Sequence, residues 1–281
     1  MSTYNQLIHQ YKRIFVEKGL SPELVKAFLF ELCSDHKVNL YLNIDQEVDE
    51  DIMVEFSKGV VRLMNNEPMN YVLGYSYFYG YRMIVNRDVL IPRPETEELV
   101  GLILSQYDAF FAGKRINVCD VGTGSGAIAI ALKKEEEKLR VYASDISEKA
   151  LETARENARI NECDITFLPG SMLEPYIEKG IKVSILVSNP PYIKATEQIE
   201  SSVYDFEPHV ALFGGDDGLK FYKEIFTHAS EILEDNALAF FEMGYDQKDA
   251  LTKLAHSYFP DAEVSVFKDI NGKDRMLMIR F

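Results

Sequence analysis

Asn189, Pro190, Pro191 and Tyr192 follow directly on an apolar run, Ile185, Leu186 and Val187. The two prolines have no N–H to continue a strand ladder, and they hold the main chain stiff. The Asn189 side chain and the carbonyls of Asn189 and Pro190 then form a rigid rack of hydrogen-bond acceptors. Whether that rack is a reaction site depends on the rest of the chain. A second cluster lies in "DVGTGSGAIAIAL", residues 120–132. Gly122, Thr123, Gly124, Ser125 and Gly126 give a tight turn into a helix, where backbone can approach a ligand closely. Asp145 closes the next apolar run, 23 residues after Gly122 (145 − 122), and a carboxylate there can accept both hydroxyls of a ribose. Each cluster also has a plainer reading. The prolines can be strand terminators, the glycines a turn, and Asp145 a cap for the helix that starts near Ser147.

Placing these residues together requires strands that end at one edge. From Ile116 onward apolar runs alternate with amphipathic stretches: "INVCDV", "RVYASDI", "ITFLPG", "VSILVSN" and "ALAFFEMG". That alternation predicts an α/β fold with a mostly parallel sheet covered by helices on both faces. "EVSVFKDI" and "RMLMIRF" are joined only by "NGKD", too short for a crossover helix, so they are expected to form an antiparallel hairpin. Upstream, Leu7, Ile8, Tyr11, Ile14 and Phe15 recur at helical spacing, as do Leu24, Val25, Phe28, Leu29 and Leu32, then Ile52, Met53, Phe56, Val60, Leu63 and Met64. The expected organisation is a small helical domain over residues 1–70, a hairpin linker over 71–94 and an α/β domain over 95–281. The aromatics between Tyr71 and Tyr81 read as a packed hairpin turning at Gly80. A base-stacking platform would need a basic surface, and residues 67–98 are net acidic.

A net charge of −15 over 281 residues argues against stable binding of nucleic acid by phosphate neutralisation. Cys33, Cys119 and Cys163 form no C-x-x-C, and the five histidines have no ligand spacing, so no metal site is expected and the compartment reads as reducing. Neither a signal-peptide core nor a run of membrane-spanning length is present. The expectation is a cytoplasmic protein, a monomer, without membrane contact.

The glycine loop alone fits NAD as well as S-adenosylmethionine, because "GTGSGA" satisfies G-x-G-x-x-A. With "NPPY" added, the set resembles class I S-adenosylmethionine-dependent methyltransferases that act on planar amino nitrogens, with their Rossmann-like sheet and antiparallel terminal hairpin. Three stretches narrow the resemblance: "YVLGYSYFYGYRMIVNRDVLIPRPETEELV" (71–100), "FEPHVALFGGDDGLKFY" (206–222) and "KDINGKDRMLMIRF" (268–281). They are similar to the peptide-chain release factor glutamine methyltransferases. The resemblance implies that Gly122 to Gly126 and Asp145 hold S-adenosylmethionine, that Asn189 meets both cofactor and substrate, and that Asn189, Pro190, Pro191 and Tyr192 clasp the glutamine of a Gly-Gly-Gln loop. It places Met172 against adenine and makes release factors the protein partner; the helical domain, which carries no cofactor signature, is expected to dock them. The chain departs from many methyltransferases at "PGSMLEP", where Ser171 stands in place of an acidic residue. His209 and Glu242 are expected to be structural, and Pro92, Arg93 and Pro94 to form a stiff segment bordering the site. A DNA or RNA adenine amino methyltransferase, an NAD-dependent oxidoreductase and a non-catalytic cofactor sensor are the alternatives.

Overall fold

The computed structural model describes residues 2–281 and divides them into two compact units. The smaller comprises residues up to Tyr75 together with Ile199–Phe206. Its helices are α1 (Tyr4–Glu17), α2 (Glu23–Asp35), α3 (Glu50–Met64) and the short α4 (Met69–Leu73). α1 starts with a reciprocal cap, in which the Thr3 hydroxyl accepts from Gln6 N and the Gln6 side chain accepts from Thr3 N. Phe15, Val25, Phe28, Leu29, Ile52 and Phe56 pack into its core, all 1% exposed or less. Gly59 lies where an added Cβ would sit 2.1 Å from the Phe28 ring, so α2 and α3 touch through a position that only glycine fits.

The larger unit runs from Ser76 to Gln198 and from Glu207 to Phe281. Its strands and helices are β1 (Tyr75–Phe78), β2 (Tyr81–Ile84), α5 (Pro94–Phe111), β3 (Ile116–Val121), α6 (Ala127–Glu135), β4 (Leu139–Asp145), α7 (Glu148–Ile160), β5 (Thr166–Pro169), α8 (Glu174–Glu178), β6 (Val183–Ser188), α10 (Lys220–His228), β7 (Leu233–Glu242), α11 (Lys248–Tyr258), β8 (Glu263–Lys268) and β9 (Asp274–Arg280); α9 (Ser201–Phe206) groups with the smaller unit. The seven-stranded sheet has the order β5-β4-β3-β6-β7-β9-β8. Pairing is parallel from β5 to β7 and antiparallel for β9 against both β7 and β8. This is the class I methyltransferase architecture.

Alternate residues of the central strands feed opposite faces, as the pleat requires. Val118, Ile185, Val187, Leu238 and Phe240 meet α5 and α6 on one side; Cys119, Val121, Leu186, Ala239 and Phe241 meet Tyr176, Tyr222, Ile225 and Leu251 on the other. The aromatic hairpin turns at Tyr79 and Gly80, both at positive φ, the twist that suits a two-residue loop. It groups with the larger unit because Phe78 and Met83, both 0% exposed, join that core. Asn157, also fully buried, bonds to both Ile84 N (2.6 Å) and Ile84 O (2.9 Å). Among the described residues no helix is long and apolar enough to cross a membrane, and no cluster of His, Cys, Asp or Glu is placed to hold a metal.

Candidate active site

The carboxyl ends of β5, β4, β3 and β6 border a cavity of about 450 Å3, a size suited to a small organic ligand. Gly122, Thr123, Gly124, Ser125, Asp145, Met172, Asn189 and Pro191 line it, joined by Pro92 and Thr96 at the start of α5. Gly126, Pro190 and Tyr192 are not among the lining residues. Gly126 stays glycine for packing, since at φ +82° an added Cβ would lie 3.2 Å from Ala154 Cβ. Gly122 and Gly124 also hold positive φ, but an added Cβ there would meet no protein atom within 4 Å, which leaves their faces open to a ligand.

Four amides of the glycine loop are spent on the protein itself. Gly122 N and Thr123 N both donate to Ser144 O at 2.9 Å, Gly126 N donates to Thr123 O at 2.9 Å, and Gly124 N donates to Asp145 Oδ2 at 2.9 Å. The side chain of Asn157 secures the turn by donating to Ser125 O at 2.9 Å. Asp145 Oδ1 accepts from Ser147 N at 2.9 Å, while the Ser147 hydroxyl caps α7 by accepting from Ala150 N at 3.2 Å. The cap is thus Ser147, and the Asp145 carboxylate keeps lone pairs for the cavity. Burial pushes the Asp145 carboxyl up from its ordinary range, and the amides of Ser147, Gly124 and Ile146 oppose that shift. Behind the loop, Asp120 is fully buried; its Oδ2 accepts from Thr123 Oγ1 at 2.6 Å and its Oδ1 has no partner. Burial pushes the Asp120 carboxyl up to about 7.

At the β6 end the contacts come from side chains. Asn189 Nδ2 donates to Thr96 Oγ1 at 3.3 Å, and Thr96 donates to Glu242 Oε2 at 2.5 Å. Tyr192 OH donates to the other Glu242 oxygen at 3.1 Å. The Tyr192 ring packs into the core, partly buried, and does not form the cavity wall. Burial raises both the Tyr192 phenol and the Glu242 carboxyl; for Glu242 the Thr96 and Tyr192 hydroxyls and the charge of Arg275 act in the opposite sense. The main chain of Pro191 and Tyr192 rests on "FGGDDG". A Cβ on Gly214 would lie 2.5 Å from Pro191 O, and one on Gly218 would lie 2.4 Å from Tyr192 O. Gln247 Nε2 ties the two segments by lying 3.2 Å from both Tyr192 O and Gly218 O. Arg93 clamps Glu207, which is 4% exposed, at 2.6 Å, and so fixes the Pro92 to Pro94 segment against the chain that leads to the cavity wall at Pro208.

Residues 102–206 match the family model of the methyltransferase small domain. A release factor glutamine methyltransferase of Bacillus cereus is 40% identical over 251 residues, spanning 88% of this chain and 89% of that protein. Another, of Bacillus subtilis, is 38% identical over 280 residues, with 99% and 97% covered. A third, of Staphylococcus aureus, is 34% identical over 283 residues and covers both chains fully at 100%. The chain belongs to the release factor glutamine methyltransferase family. A methyltransferase crystal structure from Pyrococcus furiosus, with a TM-score of 0.51 at 18% identity over 80% of this chain and 98% of that one, agrees in fold alone.

In this family member several site residues carry no motif of their own. Thr96 and Arg275 lie within stretches similar to the family but stand there as single polar residues, Gln247 sits in the loop before α11, and Glu242, expected to be structural, anchors the hydroxyls around Asn189. The glycine density of "FGGDDG" was the available signal for a close backbone approach. Met172 lines the cavity at φ +43°, with its carbonyl accepting from Ser144 Oγ at 3.3 Å. Ser171 donates to Glu224 Oε1 at 3.2 Å, which brings a carboxylate from α10 to the wall where Ser171 lacks one. His209 is exposed and stands edge-on to Phe213.

Proposed function

We propose that the protein transfers a methyl group from S-adenosylmethionine to the side-chain amide nitrogen of the glutamine in the Gly-Gly-Gln loop of peptide-chain release factors. The observation that carries the reading is Asn189, which lines the cavity with its amide nitrogen bonded to Thr96. That leaves an acceptor, Oδ1, for a substrate NH2 group. Family membership supplies the substrate class.

The cavity fits a cationic nucleoside better than a dinucleotide. Among its described lining residues Asp88, Asp145 and Glu224 are carboxylates and Lys220 is the base. A pyrophosphate there would meet carboxylates, and the amides of Gly122, Thr123, Gly124 and Gly126 that would cradle it are already bonded. A sulfonium or ammonium group is favoured by the same charges. The strand order also sets a direction. With the ribose on Asp145 at β4 and the reacting end beside Asn189 at β6, adenine falls at the end of β5, near Met172, Ser171 and Glu224.

S-adenosylmethionine, when bound, supplies a methyl group on a positively charged sulfur. Asn189 Oδ1 accepts one hydrogen of the glutamine amide at the cavity wall, and the carbonyl of Pro190, between the wall residues Asn189 and Pro191, would take the other on substrate entry. They aim its nitrogen along the line of displacement and stabilise the positive charge that grows there. The methylated amide is strongly acidic and loses its extra proton to water, so no histidine or cysteine base is required. Tyr192 holds the rack through Glu242. The cavity is lined by residues of the larger unit, and we assign the docking of the release factor to the helical domain, residues 1–70.

The test is incubation with labelled S-adenosylmethionine and a purified release factor, its variant with the loop glutamine replaced by alanine, and duplex DNA. Label on the wild-type factor alone is the expected result. Label on DNA would establish the adenine amino alternative, and label on the alanine variant would overturn the assigned glutamine.

A further inference from the structure

The end group of Asn189 can sit either way round. Turned by half a revolution it offers the cavity an NH2 donor in place of an oxygen acceptor, with almost the same shape. Only the acceptor suits a substrate that brings its own NH2. Packing does not choose between two groups of equal size, so hydrogen-bond polarity must.

That polarity is traceable. An ionised carboxylate only accepts hydrogen bonds. Glu242, 2% exposed at the end of β7, takes the Thr96 hydroxyl on Oε2 at 2.5 Å and the Tyr192 hydroxyl on Oε1 at 3.1 Å. Burial raises the Glu242 carboxyl, and the two donated hydroxyls and the charge of Arg275 act against that rise; the 2.5 Å separation from Thr96 is that of a hydroxyl donating to a charged oxygen. The single hydroxyl hydrogen of Thr96 is therefore committed to Glu242, and Thr96 meets Asn189, 3.3 Å away, with lone pairs. The Asn189 atom on that side must be the donor, Nδ2. Thr96 is itself fixed: it is 4% exposed in the first turn of α5, where Pro94 begins the helix and Arg93 is clamped by Glu207.

We propose that Thr96 and Glu242 are positioning residues that set the polarity of Asn189, so that Oδ1 and not NH2 faces the amide to be methylated. The inference rests on the glutamine-amide reading above.

The test uses the full-length protein with Thr96→Val, Thr96→Ser and Glu242→Gln. Thr96→Val keeps shape but removes the relay, and is expected to lower kcat about 30-fold at saturating release factor and cofactor, in the range set by a misdirected reacting group. S-adenosylmethionine affinity, by calorimetry, stays within about twofold. Thr96→Ser restores kcat to within about threefold of wild type, since it retains the hydroxyl. A second readout needs no turnover. The Asn189 side-chain NH2 resonances, assigned by their loss in Asn189→Ala, shift and exchange faster in Thr96→Val. Wild-type kcat or unmoved Asn189 resonances in Thr96→Val would overturn the proposal. Should Thr96→Val not fold, Glu242→Gln decides. Its amide can offer either polarity to Thr96, so reduced kcat is expected and wild-type kcat overturns the proposal. A wild-type enzyme inert toward release factors would overturn the substrate reading instead, and the resonances would still report on positioning.

Discussion

Asp145 and Glu242 are both carboxylates at the carboxyl ends of parallel strands, yet they are held by opposite means. Asp145 is braced by main-chain amides, Gly124 N and Ser147 N at 2.9 Å each, and presents its own oxygens to the cavity. Glu242 is gripped by side-chain hydroxyls from α5 and from the segment after β6, and acts through them. Backbone contacts come with the turn that creates them, so one end of the cavity is assembled by local chain geometry. The other end needs β6, β7 and α5 in place before any of its groups has a partner. The first end is built to bind, the second to aim.

If that division holds, substitutions at the two ends will fail in different kinetic terms. The largest effect is expected at Asn189. Asn189→Ala removes a preorganised acceptor and should lower kcat by about 10²–10³, with fold checked by circular dichroism. A near-wild-type turnover at saturation would reduce the residue to a strand terminator. Next is Asp145→Ala, which should weaken S-adenosylmethionine binding by about 1.5–3 kcal/mol while leaving kcat at saturating cofactor much closer to wild type. Calorimetry beside steady-state kinetics checks both, and a loss confined to kcat would erase the contrast between the ends.

A smaller effect is expected in the helical unit. Leu42 and Tyr41 are 82% and 60% exposed, and the Tyr41 ring lies 5.9 Å from that of Phe30, an apolar surface of the kind a partner covers. Leu42→Asp with Tyr41→Ala should raise KM for an intact release factor about tenfold, a typical loss for one or two interface contacts. Methylation of a short Gly-Gly-Gln peptide should be unchanged. Equal KM for the intact factor would remove this surface from docking.

The smallest concerns stability behind the amide-built end. Asp120 is fully buried, and its carboxyl is raised to about 7 from 3.8. The folded state therefore holds a proton that the unfolded chain releases, and stability falls as pH rises from about 4 to about 7 and then levels. Asp120→Asn keeps an acceptor for Thr123 and removes the charge. Without cofactor its melting temperature should match wild type near pH 4 and exceed it by about 2–5 °C at pH 8. Thermal scans that run parallel at the two pH values would contradict the assignment.

The sequence made the locally assembled parts legible. The five residues from Gly122 to Gly126, Asp145 and the stretch from Asn189 to Tyr192 each announce themselves by composition within a few positions, and the alternation of runs from Ile116 announces the sheet. Thr96 and Glu242 do not. They stand 146 positions apart, and a threonine after "RPE" or a glutamate after "AFF" has no local mark of its partner. The same holds for Gln247, whose bonds to Tyr192 O and Gly218 O are visible only once the chain has closed. The motif also said nothing about depth: Tyr192 is expected with its neighbours to clasp the glutamine, but its hydroxyl turns inward to Glu242. The β8–β9 hairpin was readable from its short connection, whereas the insertion of β9 beside β7 depends on matching strands far apart in the chain.

That insertion puts the two ends of the cavity on different clocks. β3, β4 and β6 leave the ribosome before β7, and β7 leaves before the strand that covers its far edge, since Asp274–Arg280 pair with it through Leu238 to Glu242. In the interval β7 has an open edge of buried residues, the kind of edge that pairs with other chains when left uncovered. A chain truncated within α11 and released from the ribosome should leave residues 237–242 sensitive to protease, and resistance there would show that β7 settles without its partner. A growing chain can thus carry the glycine loop and Asp145 while the strand bearing Glu242 is paired on its β6 side alone. Synthesis order makes the ability to bind the earlier acquisition and the ability to aim the later one.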